Sequence, residues 1–200
     1  MKDTPVGQKE TTAVERPWPP EQGEWTYEDW LKLPDDGYRY EVIGGVLYMS
    51  PPPLIRHQRS SGRIFVRLSD FLRVHPLGEV FYAPVGVRLP NQPVPLQPDI
   101  VFVRAERLAI IGENYIEGVP DLIVEILSPS NWLYDRREKM RVYQEAGVPE
   151  YWIADPRAQT IEVYVLEQGV YQLADQYGRG EVAASRLLPG FEVPVEAIFA

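Results

Sequence analysis

The sequence predicts one α+β domain of the mixed α/β type, with a central mixed sheet and an additional N-terminal hairpin. Apolar residues recur at steps of three and four in two segments, which indicates two amphipathic helices. Short runs rich in β-branched and aromatic residues, bounded by Gly and Pro, indicate strands. The second helix connects two such strands, and a crossover of this kind requires a parallel pair in the sheet.

Length and composition fit one folded domain behind a tail. The 200 residues are 44% hydrophobic, which is enough for a full core. Residues 1–22 are polar and proline-rich without an apolar period, so we expect a flexible tail and a single domain over 23–200. No run approaches the roughly 20 apolar residues of a membrane helix, and the first residues lack the apolar stretch of a signal peptide. We therefore expect a cytoplasmic protein with no membrane partner.

The residue types restrict the possible chemistry. With no cysteine and two histidines, cysteine nucleophiles and most zinc sites are excluded, so a metal would be bound through oxygens, as Mg²⁺ or Mn²⁺ is. A net charge of −9 argues against a strong non-specific nucleic-acid binder. Clustered acids that hold cations would add to this charge, and residues 56–73 and 136–141 are locally rich in arginine.

The elements follow in order along the chain. A short helix is expected from Trp25 to Leu33, with Thr26 as its N-cap, and Gly44-Gly45 is expected to form the turn of the hairpin. The further predictions are helices over 55–74 and 133–146 and strands over 79–89, 99–103, 121–127, 151–154, 160–166 and 170–174, with a closing segment over 188–200.

Two of the predicted strands carry an acid in apolar surroundings. Glu125 lies within Leu-Ile-Val-Glu-Ile-Leu, and Asp99 begins Asp-Ile-Val-Phe-Val. A buried carboxylate needs a cation, hydrogen bonds or a cleft. If the strands are neighbours, about 4.8 Å apart, both carboxylates can hold one hard cation. The alternatives are a core ion pair with arginine for Glu125 and a turn residue for Asp99, with Asp121 as the competing acid.

The second helix provides a lysine. Residues four apart share one side of a helix, so Asp135, Lys139 and Tyr143 form a stripe. The Lys139 amine could stabilise charge on an attacked phosphate or form a solvated pair with Asp135. If Lys139 is catalytic, Lys139→Ala is expected to abolish cleavage and leave folding nearly unchanged. Tyr143 is expected to pack in the core, with a hydroxyl directed toward the site as the alternative.

Two other residues are accessory candidates. Glu41 lies beside the Gly-Gly turn, where an exposed hairpin residue is the simpler interpretation. His57 begins the arginine-bearing helix and could contact phosphate or activate water, although a surface histidine at a helix start is the simpler interpretation.

These motifs resemble the Uma-type restriction-endonuclease-like family of the PD-(D/E)XK nuclease superfamily. The similar segments are Pro98-Asp99, residues 120–130, Asp135-xxx-Lys139-xxx-Tyr143, residues 146–155 and the hairpin residues 40–47. The resemblance extends over residues 25–198. It implies a core of helix, three strands, helix and strand, and Mg²⁺-dependent hydrolysis of phosphodiester bonds, with DNA as the expected substrate.

The resemblance also implies roles for particular residues. Asp99 and Glu125 would hold the cation, with Glu41 and the backbone carbonyl of Ile126 as further oxygens. The superfamily lysine, two residues after the glutamate, is replaced by Leu127, so the following helix would supply the amine from Lys139. Because one protomer carries one site, cutting both DNA strands would need a homodimer or two encounters.

Two other functions stay open. The departure at Leu127 is compatible with a non-catalytic module of the same fold that binds nucleic acid or protein. Paired carboxylates are also compatible with a glycosidase, which needs no metal. A nuclease would require a cation, the module would bind without cleaving, and a glycosidase would work in chelator.

Overall fold

The computed structural model describes residues 17–90, 92–128 and 135–200. A 3₁₀ helix spans Ala105–Ile110, and a π-helical turn at Asp135–Lys139 runs directly into the helix that follows it. The helices are α1 (Tyr27–Trp30), α2 (Ile55–Val74), α3 (Met140–Ala146) and α4 (Val195–Phe199); the strands are β1 (Arg39–Ile43), β2 (Val46–Ser50), β3 (Gly78–Tyr82), β4 (Gly86–Arg88), β5 (Ile100–Arg104), β6 (Tyr115–Glu117), β7 (Leu122–Ile126), β8 (Glu150–Asp155), β9 (Thr160–Glu167), β10 (Val170–Tyr177), β11 (Val182–Ala184) and β12 (Glu192–Pro194).

In the described residues, six strands form the central sheet in the order β10-β9-β8-β7-β5-β3. β7 and β8 are parallel and are connected through α3, and the other neighbours are antiparallel. This confirms the predicted fold class and the parallel pair. No helix of the described chain is both long enough and apolar enough to cross a membrane.

The sheet separates two layers of core because alternate residues of a strand project to opposite faces. On β7, Val124 and Ile126 pack with Ile64 and Leu68 of α2. The other face of β7, to which Ile123 and Glu125 project, is covered by α3, and Ile123 packs in the core that includes Tyr143. The carboxylate of Glu125 therefore lies on the α3 side of the sheet.

The hairpin β1–β2 is packed against the chain that precedes it. Gly45 has a φ of 76°, and a Cβ at this position would lie 2.2 Å from the carbonyl oxygen of Gly23. The carbonyl of Gly45 accepts hydrogen bonds from the N–H groups of Gly23 and Trp25, and the Gln22 side chain bonds the backbone of Leu47. The packed part of the chain thus includes Gln22, at the end of the predicted tail. Residues 1–16 of that tail lie outside the described residues.

The strand predicted over residues 79–89 is two strands, because the chain leaves the sheet at Pro84. Proline has no N–H to donate to a strand ladder. β3 pairs with β5 at the edge of the central sheet, whereas β4 pairs in parallel with β6. The helix predicted over residues 133–146 is described from residue 135, with a π-helical turn ahead of α3, and residues 133 and 134 lie outside the described chain.

Candidate active site

A cleft of about 670 Å³ opens at one end of the central sheet. Its lining combines the flanks of the hairpin, the first turn of α2, and the adjoining ends of β5 and β7. Asp99, Glu125, His57 and Lys139 all line it. The two acids come from adjacent strands, and the register that pairs Ile100 with Val124 brings Asp99 opposite Glu125.

Glu125 is buried and receives two hydrogen bonds from the segment that covers it. Its Oε1 accepts from the Tyr143 hydroxyl at 2.7 Å and from Nζ of Lys139 at 2.9 Å. Both donors use the same carboxylate oxygen. Lys139 and Tyr143 therefore form one stripe facing the sheet, as their spacing predicts, and the partner of Glu125 is a lysine and not the core arginine of the alternative interpretation.

Lys139 joins two carboxylates. Its Nζ lies 3.2 Å from Oε2 of Glu41 as well as 2.9 Å from Glu125, and only 1% of its side chain is exposed. Glu41 is also buried and accepts a hydrogen bond from the Gln97 N–H at 2.9 Å. The solvated interpretation of Lys139 and the exposed hairpin interpretation of Glu41 are both wrong, because the hairpin folds against the end of the sheet and turns this face of β1 inward.

Asp99 is surrounded by donors. Its Oδ2 accepts the Ile126 N–H at 2.8 Å and lies 3.1 Å from Nε2 of His57, and its Oδ1 lies 3.3 Å from the Arg39 guanidinium. His57 is buried, so the surface interpretation of this residue is wrong. Its Nδ1 is also buried and has no hydrogen-bond partner among the described residues.

Their surroundings move the pKa values of the two acids apart. Burial raises the pKa of Glu125 to about 7: the charge and hydrogen bond of Lys139 lower it, and the negative charges of Asp99 and Glu41 raise it further. Burial alone would also raise the pKa of Asp99, but the hydrogen bond and charge of His57, together with Arg39 and Lys139, lower it to about 2. Asp99 is therefore a carboxylate at neutral pH, while Glu125 can exchange a proton there.

The donor set suits a hard cation in its chemistry. Among the described residues, no three Asp, Glu or His side chains are already grouped around a point that could hold a metal ion; Lys139 lies between Glu41 and Glu125, and Arg39 and His57 contact Asp99. Three buried carboxylates nevertheless face two side chains of fixed positive charge, Arg39 and Lys139, in this part of the described chain. Carboxylate oxygens are donors that Mg²⁺ or Mn²⁺ prefers, and a cation bound here would favour the ionised form of Glu125.

A known protein family matches the chain over most of its length. The family model Uma2, described as "Putative restriction endonuclease", matches residues 27–196. The chain belongs to the Uma2 family.

A solved structure agrees with this assignment in its fold. It is described as that of a "putative nuclease belonging to DUF820" from Anabaena variabilis ATCC 29413. The two chains are 20% identical with a TM-score of 0.69, over 88% of this Uma2 chain and 97% of the other. At this identity the likeness shows the fold alone. No curated protein matches the chain.

In this Uma2 chain, Asp121 does not share the cleft of Asp99. It lies at the opposite end of β7, where it accepts hydrogen bonds from the Arg104 N–H at 3.0 Å and the Arg107 guanidinium at 2.8 Å. These bonds connect the start of β7 to the end of β5 and to the 3₁₀ helix that follows β5. Asp121 is therefore placed as a structural ion pair, far along the strand from Glu125.

Three polar residues near this site were not predicted from the sequence. Arg39 could have been found from its spacing, since it alternates with Glu41 on β1 and so shares its face. Glu162 lies in the apolar run Ile-Glu-Val of β9, the same signal that identified Glu125, and its partner Arg136 is in the second arginine-rich segment.

Proposed function

We propose that this Uma2 protein is a metal-dependent endonuclease that hydrolyses phosphodiester bonds of DNA. Membership of the family supports nuclease activity. The observation that supports metal-dependent hydrolysis is a group of buried charged residues beside a cleft open to solvent: Glu41, Asp99, Glu125 and Lys139. Carboxylates and an amine are seldom buried at such density without a function.

The residues that would hold Mg²⁺ or Mn²⁺ are Asp99 and Glu125, with the carbonyl of Ile126 and a contribution from Glu41. When bound, such a cation supplies charge stabilisation to a phosphate and favours ionisation of a water. The hydrogen bonds of Tyr143 and Lys139 to Glu125 both use Oε1. Coordination through Oε2 would not compete with them.

The remaining chemistry belongs to side chains of the protein. Lys139 brings an amine to the acids. The superfamily places this amine two residues after the glutamate, where this chain has the buried Leu127. Its charge can offset the charge that develops on an attacked phosphate. Tyr143 fixes the orientation of Glu125. Arg39, whose side chain is 25% exposed at the cleft, can bind a phosphate oxygen.

Activity on circular DNA in the presence of Mg²⁺, Mn²⁺ or EDTA tests this function. We expect cleavage of supercoiled plasmid with either cation and none in EDTA, and circular substrates exclude an exonuclease. Single-stranded circles and RNA in parallel define the substrate. Glycosidic activity that persists in EDTA would contradict the proposal.

An inactive interaction module is the second candidate, because no described group of three ligands is already in place for a metal. Such a module would shift DNA in a binding assay and leave it intact under all cation conditions.

We further propose that two protomers act together on duplex DNA, since one protomer carries one site. Linear product should then form with few nicked intermediates, at a rate that rises more steeply than protein concentration. Accumulation of nicked circles at a rate proportional to protein concentration would contradict a dimeric enzyme.

A further inference from the structure

Three strands align a second glutamate with Glu125. In the sheet register, Glu125 is the partner of Ile153 on β8, and Ile153 is the partner of Glu162 on β9. Cross-strand partners project from the same face of a sheet. Glu125 and Glu162 therefore both lie on the side covered by α3, separated by two strand spacings of about 4.8 Å each.

The π-helical turn before α3 contacts both glutamates of this row. Lys139 bonds Glu125 at 2.9 Å, and Arg136 forms a bidentate pair with Glu162, at 2.7 and 3.0 Å. Arg136 and Lys139 are three residues apart, and the wider turn of a π-helix directs them to different strands. Single π-helical turns of this kind occur frequently at functional sites.

The Glu162 end of this arrangement is held firmly. Glu162 is buried and also accepts hydrogen bonds from the Tyr164 hydroxyl at 2.7 Å and the Gln176 amide at 3.3 Å. The hydrogen bond to Glu162 raises the pKa of Arg136, which keeps its charge at all relevant pH values. A bidentate pair between a planar guanidinium and a carboxylate fixes direction as well as distance.

We propose that Arg136 and Glu162 are positioning residues, which hold the π-helical turn so that the Lys139 amine stays between Glu41 and Glu125. A lysine side chain is flexible, so its position depends on the backbone that carries it. Arg136 and Glu162 themselves act through Lys139 and not on the substrate. Their effect on catalysis rests on the proposed function, whereas their effect on the placement of Lys139 does not.

Amine acetylation followed by mass spectrometry measures that placement directly. The sequence has four lysines, at positions 2, 9, 32 and 139. The Lys139 side chain is 1% exposed and that of Lys32 is 60% exposed, so Lys32 serves as the internal reference. In the parent protein, acetylation of Lys139 should be strongly suppressed. Arg136→Ala and Glu162→Gln should each raise it by about tenfold or more relative to Lys32, through local opening of the turn.

The matched control is Arg141→Ala, which removes an arginine of the same segment whose pairs with Glu138 and Glu145 are local and exposed. It should leave Lys139 protected. Arg136→Lys, which keeps the charge without the bidentate geometry, should give an intermediate value. Glu162→Gln retains the shape of the side chain and carries the test if Arg136→Ala does not fold. Continued protection of Lys139 in a folded Arg136→Ala or Glu162→Gln protein would overturn the proposal.

Cleavage kinetics separate this inference from the proposed function. If the parent cleaves DNA, both variants should lower kcat by about tenfold or more with little change in KM, because the missing interaction is one made in the transition state. A larger effect on KM than on kcat would overturn the positioning role. If the parent does not cleave, the proposed function fails, and the acetylation pattern still decides whether the pair places Lys139.

Discussion

Lys139 shows how the burial of one side chain changes what its removal does. The expectation from the sequence that Lys139→Ala abolishes cleavage but leaves folding nearly unchanged assumes that the change removes a charge at the cleft and no core volume. However, the amine of Lys139 is enclosed with Glu41 and Glu125. Replacement leaves two buried acids without their cation, and breaking a buried pair in this way is strongly destabilising.

We therefore predict that Lys139→Ala lowers the free energy of unfolding by roughly 3 to 5 kcal/mol, as well as abolishing cleavage. Urea denaturation at pH 8 measures this loss. Lys32→Ala is the control, since the Lys32 side chain is 60% exposed and its removal should cost less than about 1 kcal/mol. A Lys139→Ala protein as stable as the parent would show that the amine is not enclosed.

The pKa of Glu125 predicts how stability depends on pH. Its carboxyl has a pKa of about 7 in the folded protein, against an ordinary value of 4.5 for a solvated glutamate, as in the unfolded chain. Between these values the folded state holds a proton that the unfolded state has released, so this group makes stability fall as pH rises from 4.5 to 7. Glu125→Gln should remove that part of the slope.

The measurement is the free energy of unfolding in EDTA at several pH values across this window. If the parent and Glu125→Gln have parallel profiles, Glu125 does not titrate with a raised pKa.

At the scale of an element, the β1–β2 hairpin carries Arg39 to the cleft and Glu41 to Lys139. Its turn contains two glycines with different surroundings. Both have positive φ. A Cβ on Gly44 would meet nothing within 4 Å, whereas one on Gly45 would lie against the backbone of Gly23 and Glu24. The position of the hairpin against the preceding chain thus depends on Gly45.

We predict that Gly45→Ala is more destabilising than Gly44→Ala by at least about 1 kcal/mol, because the first adds a backbone clash to the cost of a left-handed alanine. Thermal unfolding of the two variants provides the comparison. Equal losses would mean that the hairpin does not pack against Gly23.

The elements that were predicted correctly are those whose signal is local. The periodicity of α2, the cap at Thr26 and the Gly-Gly turn all act within a few residues. The division of residues 79–89 depends instead on which distant strand each half pairs with. The burial of Glu41 and His57 depends on how the hairpin and α2 meet the sheet, and no local pattern reports such contacts.

For the whole molecule, the predicted site residues Asp99, Glu125 and Lys139 line one cleft because sequence patterning defined the strands and the crossover that bring them together. The signal for Asp99 and Glu125 is their isolation in apolar runs, and the signal for Lys139 is its four-residue spacing from Tyr143 on the following helix. Arg136 and Glu162 were not predicted, since their pairing depends on the register of β7, β8 and β9.

The N-terminal boundary of the domain can be tested with two shortened proteins. A protein starting at Pro17 keeps the contacts of Trp18 with Trp25 and of Gln22 with Leu47, whereas one starting at Glu24 loses them. We predict a melting temperature several degrees lower for the shorter protein than for the one starting at Pro17. Equal melting temperatures would show that residues 17–23 do not stabilise the fold.

The most direct test of the active-site assignment compares three isosteric acid-to-amide changes under single-turnover conditions with Mg²⁺ and DNA. Asp99→Asn and Glu125→Gln change the acids of the cleft, and Asp121→Asn makes the same chemical change in a buried acid at the other end of β7. With folding checked by circular dichroism, the first two should slow cleavage by roughly 10² to 10³-fold and the third by less than about threefold. A parent rate retained by Glu125→Gln, or a loss in Asp121→Asn as large as in Asp99→Asn, would contradict the assignment.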